Sequence, residues 1–276
     1  MSWLSLLHLS FLIWLTLTAV MAFAWLVQQR SGNSGWVDVF WTFGVAFVAI
    51  ATAMVWQVAE FNGVRFLLVI SMAAVWALRL GGYIVMRTRD IADDPRYAKL
   101  STDWGARAPF NMFWLLQFQA LASVPLCLAI VLAAFNPAST LTIMDVFGVL
   151  LFVAGISGSA IADQQLRHFK GRPDASGQIC DVGLWSLSRH PNYFFEWLAW
   201  CAYPLLAVSF AGGWPWGWVA FAAPILMYVL LNSVSGIPPL EAHMTAKYGE
   251  QYLSYQRRTS AFFPIPASNF EKGQTE

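Results

Sequence analysis

Apolar residues run through this chain in long blocks, and the polar residues collect between them. A bilayer core about 30 Å thick needs about 20 apolar residues in helical form. Charge-poor runs of that order fall near 5–28, 36–57, 64–86, 110–135, 142–163, 193–211 and 214–235. The sixth and seventh are separated only by Gly212 and Gly213, so they can also form one bent hairpin. The pattern predicts an all-α polytopic membrane protein with about seven transmembrane helices. The first run lacks a basic leader and is long enough to span, so no cleavable signal peptide is expected.

Charge placement gives this arrangement a direction. With seven spans, Arg30, the cluster Arg87–Arg107, the cluster Arg167–Arg189 and the group Lys247–Lys272 all fall on one side. Among the sixteen Lys and Arg, the exceptions are Arg65, on the other side, and Arg79, inside the third span. Basic residues mark the cytoplasmic face. The N-terminus is therefore expected outside and the C-terminus inside, and an even number of spans would destroy the asymmetry. Two inner loops, roughly 87–109 and 164–192, and the tail after 236 hold most of the polar chemistry. A multi-pass protein of a bacterial inner membrane follows, or of the endoplasmic reticulum if eukaryotic.

Composition agrees: 58% hydrophobic and 11% charged, with 15 Trp and 21 Phe. A soluble domain carries about 25% charged residues. The net charge of +1, with no basic stripe, argues against a nucleic-acid partner. Cys127, Cys180 and Cys201 are scattered without metal spacing and read as core residues. No repeat is present, no metal site is expected, and nothing specifies an oligomeric state.

Ionisable groups in hydrocarbon are costly and usually face a partner or a wet cavity. Asp38, Arg79, Asp145, Asp163 and Glu196 are such groups, with interfacial placement the alternative for Asp38 and Asp145. Asp163 and Arg167 are four apart and share a helix face. A helix beginning near Pro191, a favourable first position, would put His190, Tyr193 and Glu196 together. Its start would favour an anion through the free N–H groups beside Pro191.

Two stretches stand out: GLWSLSRHPNYFFEW, Gly183 to Trp197, and EAHMTAKYGEQYLSYQRRTSAFFP, Glu241 to Pro264. The second also reads as an amphipathic surface helix with Tyr and Arg at headgroup level. Together, RHPNY and KYGEQYLSYQRR…FFP resemble the steroid 5α-reductase family and its bacterial relatives. Sterol C14 and Δ7 reductases carry a similar C-terminal half. The resemblance covers about residues 150–265. It implies a seven-helix membrane fold, NADPH on the cytosolic side and reduction of an electron-poor C=C bond in a lipid. On that basis residues 1–135 face the lipid substrate, 136–265 form the cofactor-binding half and 266–276 a flexible tail of one membrane domain.

Residue by residue, the resemblance implies cofactor contacts at Asp163, Arg167, Asn192 and Glu196, with Arg87 and Arg89 for phosphates. His190, Tyr193, His243 and Tyr248 are assigned to the same pocket. Ser159 stands where family members often have Asn. The Gln-Glu pair of the animal steroid enzymes is missing from the second span. Asp38, Tyr83 and Trp76 are the nearest candidates for the group that donates to a substrate carbonyl. The expected reaction transfers hydride from NADPH to an enone such as a Δ4-3-oxosteroid. The main alternative is an S-adenosylmethionine-dependent methyltransferase of the isoprenylcysteine carboxyl methyltransferase type. That group also carries RHP-x-Y and a later E…YG element, and gives Glu241 more weight. A non-enzymatic lipid carrier or channel is the third reading.

Overall fold

A chain in which nearly every segment is apolar on all sides satisfies its backbone inside lipid by forming helices. The computed structural model describes residues 1–56, 63–210 and 214–266. Among these there are no strands. The one isolated bridge pairs Ser188 with Ser260.

Two compact units are formed. The first comprises Met1–Gly148 and Tyr203–Ala223. Helix α1 (Trp3–Ser31) is started by Ser2, whose hydroxyl accepts from the Ser5 N–H, and is stopped at Gly32, which takes the left-handed conformation. It buries Leu6, Leu9, Ile13, Leu17, Met21, Ala24 and Gln28, a three-to-four spacing that lines one face. Phe11, Leu15, Phe23 and Leu26 are exposed on other faces, as expected where lipid rather than water surrounds a helix. Helices α2 (Gly35–Val55) and α3 (Gly63–Arg89) follow.

Helix α4 (Pro95–Trp104) fills part of the expected inner loop at 87–109. Asp94 caps it, accepting from the Arg96 N–H, with Pro95 in the first position. Helices α5 (Ala108–Ala122) and α6 (Val124–Ala134) continue it into one apolar stretch, bent at Gly105–Arg107 and at Ser123.

A buried ion pair closes this unit. Arg65 donates from Nε and Nη2 to Asp145 at 2.9 and 2.7 Å, and to the carbonyls of Asn136, Ala138 and Thr140. Asp145 is therefore buried and paired.

The second unit comprises Val149–Ala202 and Pro224–Glu276. Most of α7 (Ile143–Lys170) belongs to it, together with α8 (Pro191–Trp200). These two helices meet through small residues. A Cβ on Gly155 would lie 2.6 Å from the Ala199 backbone nitrogen, and one on Gly158 would lie 2.3 Å from the Phe195 ring. After α9 (Ala202–Ala207), which returns to the first unit, come α10 (Ala222–Val229), α11 (Ile237–Tyr248) and α12 (Glu250–Arg258). Gly249 separates the last two with φ of +56°. The polar pattern expected to run as one helix from Glu241 towards Pro264 is therefore two helices and an extended strap.

Among the described residues, six helices are long and apolar enough to cross a membrane: Trp3–Ser31, Gly35–Val55, Gly63–Arg89, Pro95–Ala134, Ile143–Lys170 and Pro215–Tyr248. The sixth expected run, 193–211, instead becomes α8 and α9, of ten and six residues, interrupted at Cys201. Gly212 and Gly213 lie outside the described residues.

Candidate functional site

The second unit gathers the polar residues of both motifs. Asp163 projects from α7 and is 3% exposed. The Asn192 carboxamide, in the first turn of α8, donates to Asp163 Oδ1 at 3.3 Å. Glu196 lies one turn further along α8, is 7% exposed and accepts from Trp200 Nε1 at 3.3 Å. One turn before Asp163, the Ser159 hydroxyl is buried with no hydrogen-bond partner among the described residues. Four polar side chains thus sit on two helices that Gly155 and Gly158 hold in close approach. Helix α8 begins at Pro191, as its favoured position predicts.

A second polar cluster lies at the start of α8. Arg189 Nε donates to Glu241 Oε1 at 2.7 Å, His190 Nε2 donates to the same oxygen at 3.0 Å, and Gln256 Nε2 donates to Oε2 at 2.8 Å. Arg189 Nη1 also donates to the carbonyls of Gln256 and Thr259. The Tyr193 ring stacks on His190 at 5.4 Å. His190 is buried, and that burial holds its imidazole below the ordinary histidine value even though Glu241 favours the charged form. Glu241 saturates the His190 nitrogen that faces it, so His190 acts here as a scaffold for the α8 start.

The second unit also has a cavity of about 540 Å³, lined by Lys170, Arg172, Lys247, Phe169, Cys180 and Tyr248. Three cations line it with two aromatic rings, Arg172 being paired with Asp174 at 2.6 Å, which makes it a basic, half-apolar recess. Tyr248 thus faces this cavity, and Lys247 lies over its ring at 5.0 Å. Arg167 and His243 are exposed on α7 and α11.

The remaining expected site residues lie in the first unit. Arg87 pairs with Asp94 at 3.0 Å, and Arg89 is exposed at the end of α3. Trp76 is buried, with its ring 6.2 Å from Trp41, and Tyr83 is half-buried on α3. Asp38 is closed upon by residues the sequence did not single out. It accepts from Arg96 Nη2 at 2.5 Å and from the Tyr97 hydroxyl at 3.0 Å, and Gln119 donates to Tyr97 at 3.1 Å. Asp38 is an acceptor at both oxygens, so the donors available in this cluster are Arg96 and Tyr97. Asp94, which caps α4, is pushed up by burial, but its hydrogen bond to Arg96 and the Arg96 and Arg87 charges outweigh this and hold it low.

Arg96, Tyr97 and Arg189 escaped sequence reasoning because the carboxylates they meet, Asp38 and Glu241, are more than 50 residues away. Asp-Pro at 94–95, a helix-start signal, was the clue that a helix, and with it Arg96 and Tyr97, occupies the expected loop.

Fold and site together define a multi-pass helical membrane protein with two buried polar clusters in its C-terminal part. Over residues 24–259 the chain matches the family described as a protein of unknown function, DUF1295, and it belongs to that family. No curated protein and no solved structure matches it.

Proposed function

We propose that this protein is a membrane reductase of the steroid 5α-reductase type, which reduces the C=C bond of an enone in a lipid with NADPH. The observation that carries the reading is the Asp163–Asn192 pair, with Glu196 and the unpartnered Ser159 hydroxyl, buried between two closely packed helices. Buried polar groups without protein partners call for a ligand or water.

The residues present fit a dinucleotide. Asn192 and Ser159 offer donors and acceptors to a carboxamide, and Asp163 and Glu196 offer acceptors to amide or ribose hydrogens. Lys170, Arg172 and Lys247 suit phosphates, as Arg and Lys do through charge-assisted bonds. When bound, NADPH supplies the hydride. The protein's part is to fix the orientation of the nicotinamide and to exclude water, since the cofactor carries the chemistry. The enone's β-carbon receives the hydride and its α-carbon a proton, while a hydrogen-bond donor holds the charge that develops on the carbonyl oxygen.

The charge pattern supports seven passes, with α8–α9 as the sixth, an outside N-terminus and a cytoplasmic C-terminus. The cytoplasmic side is also where NADPH is supplied.

The methyltransferase reading draws on one observation, the joining of Arg189 and His190 to Glu241, which unites the motif elements that both families share. A thermal-shift titration of purified protein with NADPH and with S-adenosylmethionine separates the two. Stabilisation by NADPH, and oxidation of NADPH with progesterone or testosterone, is expected. Stabilisation by S-adenosylmethionine alone would replace the reductase with the transferase.

A further inference from the structure

Polar side chains within the first unit's spans generally close on a neighbour. On α1, Ser10 donates to the Leu6 carbonyl at 2.7 Å and Thr16 to the Leu12 carbonyl at 2.8 Å. On α2, Thr42 donates to the Asp38 carbonyl, and on α5 Gln119 donates to Tyr97. Thr18 on α1 and Gln117 on α5 behave differently. Thr18 Oγ1 and both the oxygen and the nitrogen of the Gln117 carboxamide are buried with no hydrogen-bond partner. Among the described residues, Gln117 is the one side chain with two separate buried polar atoms both unsatisfied.

The two residues belong to one seam. Near the end of α1, Trp25 donates from Nε1 to the Pro109 carbonyl at the start of α5, 2.9 Å away, and its ring lies 5.6 Å from Phe113. The end of one helix therefore meets the start of the other, and they run antiparallel. Seven residues back from Trp25 is Thr18, and four residues on from Phe113 is Gln117. Both steps keep a residue on the same helix face, so both side chains stand on the facing stripes of α1 and α5. Leu15, Trp114 and Phe118 beside this seam are exposed, so the seam borders the bilayer although its polar atoms are closed off.

A primary carboxamide next to a hydroxyl, without a charge, matches an uncharged oxygen that can both accept and donate. An alcohol does this: its oxygen accepts from Gln117 Nε2, and its hydrogen goes to Gln117 Oε1 or Thr18 Oγ1. A phosphate or carboxylate has no hydrogen to give and would leave Gln117 Oε1 unpaired, and it would carry a charge into hydrocarbon. We propose that Thr18 and Gln117 form a binding subsite for the hydroxyl group of an apolar, membrane-dissolved ligand. Identifying that ligand with the substrate of the reductase rests on the function proposed above; the subsite itself does not.

The test uses two probes that differ in one oxygen, testosterone and androst-4-en-3-one, which lacks the 17-hydroxyl. Equilibrium binding of each to the purified protein in detergent is measured without nucleotide, for the wild type, Gln117→Leu and Thr18→Val. The wild type is expected to bind testosterone about tenfold tighter, the factor expected of one good hydrogen bond. Gln117→Leu is expected to bind the two equally while melting no lower than the wild type, because no protein hydrogen bond is lost. Thr18→Val narrows the preference and provides the reading should Gln117→Leu fail to fold. The subsite is overturned by a wild type that binds neither probe or does not discriminate, as a buried water alone would give. It is equally overturned by discrimination that survives in both variants. Discrimination without any oxidation of NADPH would instead retain the subsite and remove the reductase.

Discussion

At the scale of single residues, the site depends on a few side chains whose surroundings decide their chemistry. Asn192 and Glu196 lie on one face of α8, and Asp163 meets Asn192 from α7. Replacing Asn192 or Glu196 with Ala removes contacts proposed for the cofactor but no large apolar surface. Each variant is expected to express and melt near the wild type while losing about tenfold or more in NADPH affinity, since each hydrogen bond to a charged or buried group contributes about 1.5–3 kcal/mol. Fluorescence titration of NADPH measures this, and unchanged affinity in both variants removes the assignment. His190 makes a prediction with a definite sign. Burial depresses its folded-state value below the ordinary 6.5. The unfolded chain therefore binds more protons in the window just below that value, and stability falls there as pH falls. Melting temperature in detergent should be steady above about pH 6.5 and should drop towards pH 5. His190→Gln, which keeps a donor for Glu241 but does not titrate, should flatten the drop.

At the scale of helices, the hydrophobic runs were legible because span length and charge exclusion are strong, local signals. The break at Cys201 had one cue, Pro204, whose ring clashes with the carbonyl four residues back, at Trp200, but the apolar run around it reads as a single span. The α4 helix was hidden for the opposite reason. Its polar sequence reads as loop, and it is Asp94 and Pro95 that start it. Asn192 and Glu196 could be placed on one face from their spacing alone, whereas their approach to Asp163 depends on α7 and α8 packing closely. That packing rests on glycine. Gly155→Val puts side-chain atoms where the Ala199 backbone lies, and forcing extra volume into a packed site costs about 1–3 kcal/mol. The variant is expected to melt several degrees lower and to bind NADPH more weakly, although residue 155 makes no contact with the proposed cofactor. A variant that matches the wild type in both would mean the helices can separate without consequence.

At the scale of the whole molecule, the legible quantity is topology. The basic residues sort to one side only for an odd number of passes, yet among the described residues six helices have the length and composition to span. Reporter fusions decide the matter. A fluorescent protein fused to the C-terminus should fluoresce in the cytoplasm, and an alkaline phosphatase fused at the N-terminal side should be active outside. Both termini reporting from the cytoplasm would mean an even number of passes, with α8–α9 dipping into the membrane and returning. The pairing of Arg65 with Asp145 could not be read from the charge count, which put Arg65 outside without a partner. It joins residues 80 apart in the chain.

The strap after α12 ties the end of the chain to the start of α8. The Arg189 N–H donates to the Ser260 carbonyl, the Ser188 hydroxyl to the Phe262 carbonyl, and the Ile265 N–H to the Leu187 carbonyl. Translation proceeds from the N-terminus. While the ribosome still encloses residues 260–265, the backbone at 187–189 has none of these bonds, and the Phe194 and Trp197 rings lack their contacts with Phe262 and Phe263. The second unit therefore matures only once residues 260–265 have left the ribosome.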